Sequence, residues 1–279
     1  MFPPSVSMVL FGVVANVSIT GLFLGGVLPG LLIALCLMAY IFFVALRRNY
    51  YTSKWVGWNV LLLTFLGAVP ALLTPVIVVG GMVLGVFSPT EAATVAAVYA
   101  LFLSALFYRE LSFEALSKVL LETALSTSKL MFIIASALLF GWVLTIGELP
   151  QFLAVTLQDL FPQQWAFVLA ILVVFLVLGA IMENAILLLV LAPMLLPIAR
   201  DSYGMDPIHI GVVMVFANMI GQYTPPLGLS LFVMRDVTGL TIAQVSRAVA
   251  PFLLPLIAAL LLMAYVPAIV VWLPRVMGY

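Results

Sequence analysis

The eleven residues Asn218-Met-Ile-Gly-Gln-Tyr-Thr-Pro-Pro-Leu-Gly228 set helix breakers and small polar side chains in the middle of an apolar span. Ile208 to Ala217 precede them, apolar apart from His209 and Gly211, and Leu229 to Met234 follow, apolar but for Ser230. Adjacent prolines at 225 and 226 remove two backbone donors and push Thr224 out of the α region. In lipid such a break strands backbone carbonyls, which is tolerated only where it is buried in protein or lines a cavity. Interrupted helices in corresponding halves of a chain mark the binding sites of secondary transporters. The alternative is a proline kink that only lets helices pack.

The setting is a lipid bilayer. The 279 residues are 66% hydrophobic and 7% charged, against about 25% charged in soluble domains, and the mean hydropathy is +1.34. The expected fold class is an all-α polytopic membrane protein. Ten basic and ten acidic residues cancel, so nothing points to a nucleic-acid partner. One cysteine, Cys36, and one histidine leave no disulfide, no cysteine-rich metal site and no evident catalytic set within the chain, so neither enzyme activity nor a cofactor is expected. The Met-Phe-Pro-Pro start has no basic stretch that would mark a cleavable signal peptide.

Gly25 to Leu46 has the ~20 apolar residues a crossing needs. It runs into Arg47, Arg48 and Lys54 among Tyr50, Tyr51, Trp55 and Trp58, which places that end in the cytoplasm. Trp58 to Gly85 returns, with breaks expected at Pro70, Pro75 and Gly80-Gly81. Ser88-Pro-Thr-Glu91 reads as a capping box opening a helix from Ala92 to Tyr108, with Arg109 at its cytoplasmic end. Glu91 is thereby explained as a structural residue. Glu110, Glu114, Lys118 and Glu122 share one face, so Leu111 to Ser126 is expected to lie in the interface as an amphipathic helix. Lys129 to Ile146 is a further span, and Gln151 to Leu160 a short re-entrant or interfacial piece. Trp165 to Ala199, interrupted by Gly179, Glu183, Asn184, Pro193 and Pro197, is too long for one crossing and suits a hairpin with Glu183 and Asn184 at its tip. A last span is expected from about Pro251 to Trp272. The ends of Arg235-Asp236 form either an ion pair beside a substrate path or a loop pair. His209 fits a hydrogen-bonded residue better than a ligand, since no His, Cys or second acid stands at ligand spacing.

Pro3-Pro4 and Pro225-Pro226 are 222 positions apart, and each pair is followed by a short apolar piece, a polar turn and a long membrane helix. Pro29 and Pro251 keep that spacing, and Leu-Met-Ala-Tyr occurs at 37–40 and 262–265. The chain therefore reads as one transport domain, 1–279, made of two structural repeats. Residues 1–50 would end the first repeat, 51–127 would connect, and 128–279 would be the second. The first repeat is then incomplete, lacking a counterpart to the hairpin at 165–224.

Ser88-Pro-Thr-Glu-Ala-Ala93 with Ala97-Val-Tyr-Ala100, Pro193-Met-Leu-Leu-Pro197, Asp206-Pro-Ile-His-Ile-Gly211 and Thr224-Pro-Pro-Leu-Gly228 stand in the order of four signatures of one family. Together they resemble the large membrane subunit of tripartite ATP-independent periplasmic (TRAP) transporters. The resemblance implies an inverted-repeat, elevator-type secondary transporter with re-entrant hairpins and discontinuous helices in the bacterial inner membrane. It implies Na⁺-coupled import of small carboxylates, with a periplasmic substrate-binding protein and a small membrane subunit as partners. The pattern departs in two places: Pro-Pro-Ser opens the chain although it lies well inside the family pattern, and Asn184 directly follows Glu183, where the asparagine often comes two residues after the acid.

Na⁺ is a hard cation that takes oxygen ligands, and unwound helices offer carbonyls to it. The expected substrate and cation site therefore comprises Gly179, Glu183, Asn184, Asn218, Gly221, Thr224, Pro225, Pro226 and Gly228, with Pro3, Pro4 and Ser5 as its symmetry mate. Asn218 and Thr224 are the Na⁺ candidates. An ionised Glu183 in lipid would cost roughly 2.5–3.5 kcal/mol on insertion scales; it binds cation, carries a proton, or merely caps backbone at a tip that reaches water. The rival functions are a truncated, non-transporting structural partner and a related anion transporter that needs no binding protein.

Overall fold

A computed structural model describes residues 3–48, 56–225 and 228–279. Every regular element among them is helical. In chain order they are α1 (Val6–Ala15), α2 (Ile19–Arg48), α3 (Trp58–Val83), α4 (Pro89–Phe102, prolonged by a π turn Leu103–Phe107), α5 (Phe113–Ile146), α6 (Leu149–Leu160), α7 (Gln164–Gly179), α8 (Asn184–Asp201), α9 (Pro207–Gly221), α10 (Leu229–Thr238), α11 (Ile242–Tyr265) and α12 (Ala268–Val276). Among the described residues, six stretches are long and apolar enough to cross a membrane: α2, α3, α4 with its π turn, α5, α8 and α11. The chain is all-α and multi-pass.

Two compact units divide it. One is formed by the chain up to Phe42 together with Phe132–Tyr279, the other by Phe43–Met131. In the second, α3 and α4 pack side by side and the Tyr99 hydroxyl donates to the Pro70 carbonyl at 2.8 Å. Ser88 and Glu91 close the capping box in both directions. Most of the unit's large apolar side chains, Trp58, Leu63 and Phe65 among them, are exposed, as lipid contact requires.

The first unit holds the core. Its centre is α9, in which every residue from His209 to Asn218 is buried. At 15 residues this helix is about 22 Å long, short of the ~30 Å hydrocarbon thickness, so it sits inside protein rather than spanning lipid. Asp206 starts it by accepting from Ile208 N and His209 N at 2.9 and 3.3 Å. The buried ring of His209 contacts the Met263 carbonyl through Nε2 at 3.0 Å. Helices α7, α8, α1, α11 and α12 surround α9.

Several boundaries differ from expectation. Residues 111–126 and 129–146 do not form an interfacial helix and a separate span; α5 is continuous from Phe113 to Ile146. No proline stands between them, and the hydroxyls that interrupt the apolar pattern turn back onto the helix, Thr123 to Val119 O and Ser128 to Ala124 O. Pro70 and Pro75 lie within an unbroken α3, as membrane helices tolerate. The final span does not run from 251 to 272. Its helix starts at Ile242, behind a Thr241–Gln244 capping box, contains Pro251 and Pro255, and stops at Tyr265. Val266 precedes Pro267 and leaves the α region, so α12 is a separate piece. Helix α2 starts at Ile19 rather than near 25.

Helices α1 and α10 each have 10 residues and start 223 positions apart. Each ends in a left-handed cap, Asn16 and Gly239, whose N–H returns to Gly12 O and Arg235 O. Ser18 and Thr241 then accept from Gly21 N and Gln244 N, opening α2 and α11 at the same spacing.

Candidate functional site

The hairpin α7–α8 turns at Ala180 to Glu183, and its tip meets the last turn of α9. The two glycines make this crossing possible. A Cβ on Gly221 would fall 2.9 Å from Gly179 Cα, and one on Gly179 would fall 2.9 Å from the Asn218 carbonyl oxygen and 3.0 Å from Asn218 Oδ1. Backbone rests on backbone here, which only glycine permits.

Asn218 lies beneath the crossing with no exposed surface. Its Nδ2 donates twice, to the Asn184 backbone carbonyl at 2.9 Å and to Asn184 Oδ1. Asn184 Nδ2 donates in turn to Ser7 Oγ at 2.5 Å. A polar chain thus crosses from α9 through the hairpin tip to α1, all within the first unit. Its free end is Asn218 Oδ1, a fully buried oxygen that accepts no hydrogen bond from protein. An acceptor left so costs about 1–3 kcal/mol unless a donor or a cation fills it. Oδ1 is a neutral oxygen of the kind a hard cation takes, and the Asn218 carbonyl, which accepts from Gln222 N at 3.3 Å, faces the same space before Gly179.

The other expected residues lie at the hairpin tip, in the break and at the start of α1. Glu183 is the N-cap of α8: its Oε2 accepts from Ala185 N at 2.9 Å and Ile186 N at 3.3 Å. Capping is its structural work, and the side chain is exposed. Replacing Glu183 by alanine should therefore lower stability by about 1 kcal/mol, read as a fall in melting temperature, while Glu183→Gln should retain most of the cap. Thr224 Oγ1 donates to Ile220 O at 3.1 Å, and no hydrogen bond joins it to Asn218 among the described residues. Its oxygen keeps lone pairs.

The carbonyls of the break are largely engaged in its turns: Gly221 O accepts from Thr224 N at 2.8 Å, Gln222 O from Ser230 N at 3.3 Å, and Thr224 O from Gly228 N at 3.2 Å. Pro225 lies in the turn and Gly228 is buried; Pro226 lies outside the described residues. Pro3, joined to Pro4 by a cis bond, is buried and leads into α1, whose N-cap is Ser5, itself buried. It is Ser7, not Ser5, that reaches the hairpin tip. Sequence reading passed over Ser7, although Ser230 stands 223 positions later.

Arg235 and Asp236 pair with each other at 3.0 Å on an exposed surface, where such pairs contribute little. No cluster of three or more His, Cys, Asp or Glu side chains suited to a metal occurs among the described residues.

Residues 1–269 match the family described as Tripartite ATP-independent periplasmic transporter, DctM component. The C4-dicarboxylate TRAP transporter large permease protein DctM of Pseudomonas aeruginosa is 41% identical over 278 residues, which is 100% of this chain and 65% of that protein. The sialic acid TRAP transporter large permease protein SiaM of Vibrio cholerae is 38% identical over 280 residues, with 100% and 65% covered. The 2,3-diketo-L-gulonate TRAP transporter large permease protein YiaN of Escherichia coli is 35% identical over 271 residues, with 97% and 64% covered. The chain thus spans about 65% of the length of these relatives, which are named as permeases rather than enzymes. With its membrane-spanning helices, its hairpin packed on a broken helix and this match along nearly its whole length, the chain is a multi-pass inner-membrane protein and belongs to the DctM component family of tripartite ATP-independent periplasmic transporters.

Proposed function

We propose that the chain is permease machinery of a secondary active, Na⁺-coupled importer of small organic acids. The importer receives its substrate from a periplasmic binding protein and works with a small membrane subunit. The observation that carries this reading is Asn218: a buried, unpartnered carbonyl-type oxygen held beneath a hairpin tip at the end of a short broken helix. The oxygen takes Na⁺ when the ion is bound, and Thr224, six positions along the break, supplies a second neutral oxygen. Substrate carboxylates are drawn to the positive ends of the half-helices at the break. The N-terminal α1–α2 and the later α10–α11 are the matching parts of two inverted repeats, and the unit built on α9 is the moving body of an elevator.

The test is uptake of a radiolabelled C4-dicarboxylate, with a sialic acid as the second probe, into proteoliposomes holding the full-length permease and its small subunit. Uptake should need both an inward Na⁺ gradient and the binding protein. Uptake that persists without the binding protein would favour the independent anion transporter. If Asn218→Ala and Thr224→Ala both left the Na⁺ dependence unchanged, the cation reading would fail.

A further inference from the structure

Pro267 has no N–H, so the carbonyl four residues before it, Met263 O, has no helical donor. The next amides do not reach back to it. Ile269 N bonds Val266 O at 3.1 Å, and Val270 N and Val271 N both bond Pro267 O at 2.9 Å. Met263 has no exposed surface, so its carbonyl needs a partner from within the protein. His209 Nε2, at 3.0 Å, is that partner. A carbonyl only accepts, so this nitrogen carries a proton.

His209 is the third residue of α9, and Asn218 lies nine positions on, about 14 Å along the axis and half a turn round it. No proline interrupts the helix between them. Helix α9 is therefore a strut. One end bears on the last turn of α11, and the other carries the free oxygen beneath the hairpin tip. The buried apolar contacts along its length are non-directional. Among the described residues, the side-chain hydrogen bonds that join α9 to other helices stand near its two ends, at His209 and at Asn218. Asp206, the cap of α9, adds a contact with Arg275 of α12 at 3.2 Å, but Arg275 is 66% exposed and such a pair contributes little.

We propose that His209 is a positioning residue: by donating to the carbonyl that Pro267 leaves free, it holds α9 against the broken end of α11 at the setting that brings Asn218 into register with Asn184. This rests on the cation reading of Asn218 given above. A continuous helix would use the Met263 carbonyl for its own backbone, so the break at Pro267 is what frees it for α9. Without the imidazole N–H, Met263 O is buried and unpartnered, and α9 loses the bond that fixes which turn of α11 it faces. The strut then settles elsewhere, and Asn218 shifts against Asn184 at its far end. The oxygen leaves the place where it meets the cation.

The readout is Na⁺-dependent thermal stabilisation of the purified full-length permease, titrated with NaCl against choline chloride at constant ionic strength. Binding to the folded state raises the melting temperature with a midpoint that reports affinity. His209→Leu should raise the Na⁺ midpoint about tenfold, the scale of one net hydrogen bond between neutral groups, and should melt lower without Na⁺. His209→Gln, whose amide nitrogen reaches the place of Nε2, should bring the midpoint back close to wild type. Pro267→Ala separates positioning from the filling of a bond. It returns a helical donor to Met263 O, so combined with His209→Leu it should recover most of the melting temperature while the midpoint stays raised. A double variant in which both return to wild type would overturn the proposal, as would a His209→Leu protein that melts lower but keeps its midpoint. If His209→Leu is not recovered folded, His209→Gln and His209→Asn decide. Both amides donate but only the longer reaches Met263 O, and equal midpoints would refute the role. Asn218→Ala tests the cation reading beneath it. If that variant keeps the normal midpoint, the cation reading itself is wrong. If it abolishes the stabilisation while His209→Leu leaves the midpoint in place, only the role of His209 falls.

Discussion

Asn218→Ala should abolish Na⁺-driven uptake, leaving less than about 1% of the normal rate. Two losses combine. The variant removes the buried oxygen that faces the crossing, and it strips the Asn184 carbonyl and Oδ1 of their shared donor. Each orphaned acceptor costs about 1–3 kcal/mol, so the hairpin tip loosens at the proposed cation site. The measurement is initial uptake rate as a function of Na⁺, with surface-expressed or reconstituted protein quantified in parallel. Substrate binding by the periplasmic protein should be untouched. A variant that transports with normal Na⁺ dependence would remove Asn218 from the mechanism.

Gly221→Val should have an effect of similar size by a different route. A single Cβ at 221 would stand 2.9 Å from Gly179 Cα and 3.0 Å from both the Gly179 carbonyl carbon and the Leu176 carbonyl oxygen. Those neighbours are backbone, which cannot rotate away, so α7 and α9 must part. Overpacking of this kind costs typically 1–3 kcal/mol, occasionally more, and branching at Cβ places the variant at the upper end. Melting temperature in detergent should fall and uptake should be lost. Gly221→Ala should lie between wild type and valine in both measurements. Equal melting temperatures for all three would mean that the helices are not in backbone contact.

Much of this arrangement was written in the chain. The breakers at 218–228 and the acid-amide pair 183–184 stand out because little else in their surroundings is polar, and the hairpin and the broken helix follow from them. The capping box at Ser88–Glu91 is a local pattern with a local cause, and it forms as read. What escaped reading depends on tertiary context. Whether Pro70 or Pro251 ends a helix is not written in the local sequence, and both lie inside continuous helices. The join at 126–128 is invisible because hydroxyls satisfied within a helix and hydroxyls facing water have the same sequence. The role of Glu183 is open in the sequence, and only the structure shows that its carboxylate caps α8. Ser7 could not be weighed at all without knowing that α1 lies against the hairpin, although the recurrence of serine at 230 hinted at it.

The crossing of Gly179 over Gly221 is a joint without play. Where side chains separate two helices, rotamer changes absorb small displacements; here nothing intervenes to absorb them. Lifting the tip of the hairpin must therefore carry Asn184 away from Asn218 in the same motion, and the amide pair cannot stay closed over an open gate. On the proposed cation reading, unlatching the door and emptying the ion seat become one step, and a half-open state would hold no ion to leak.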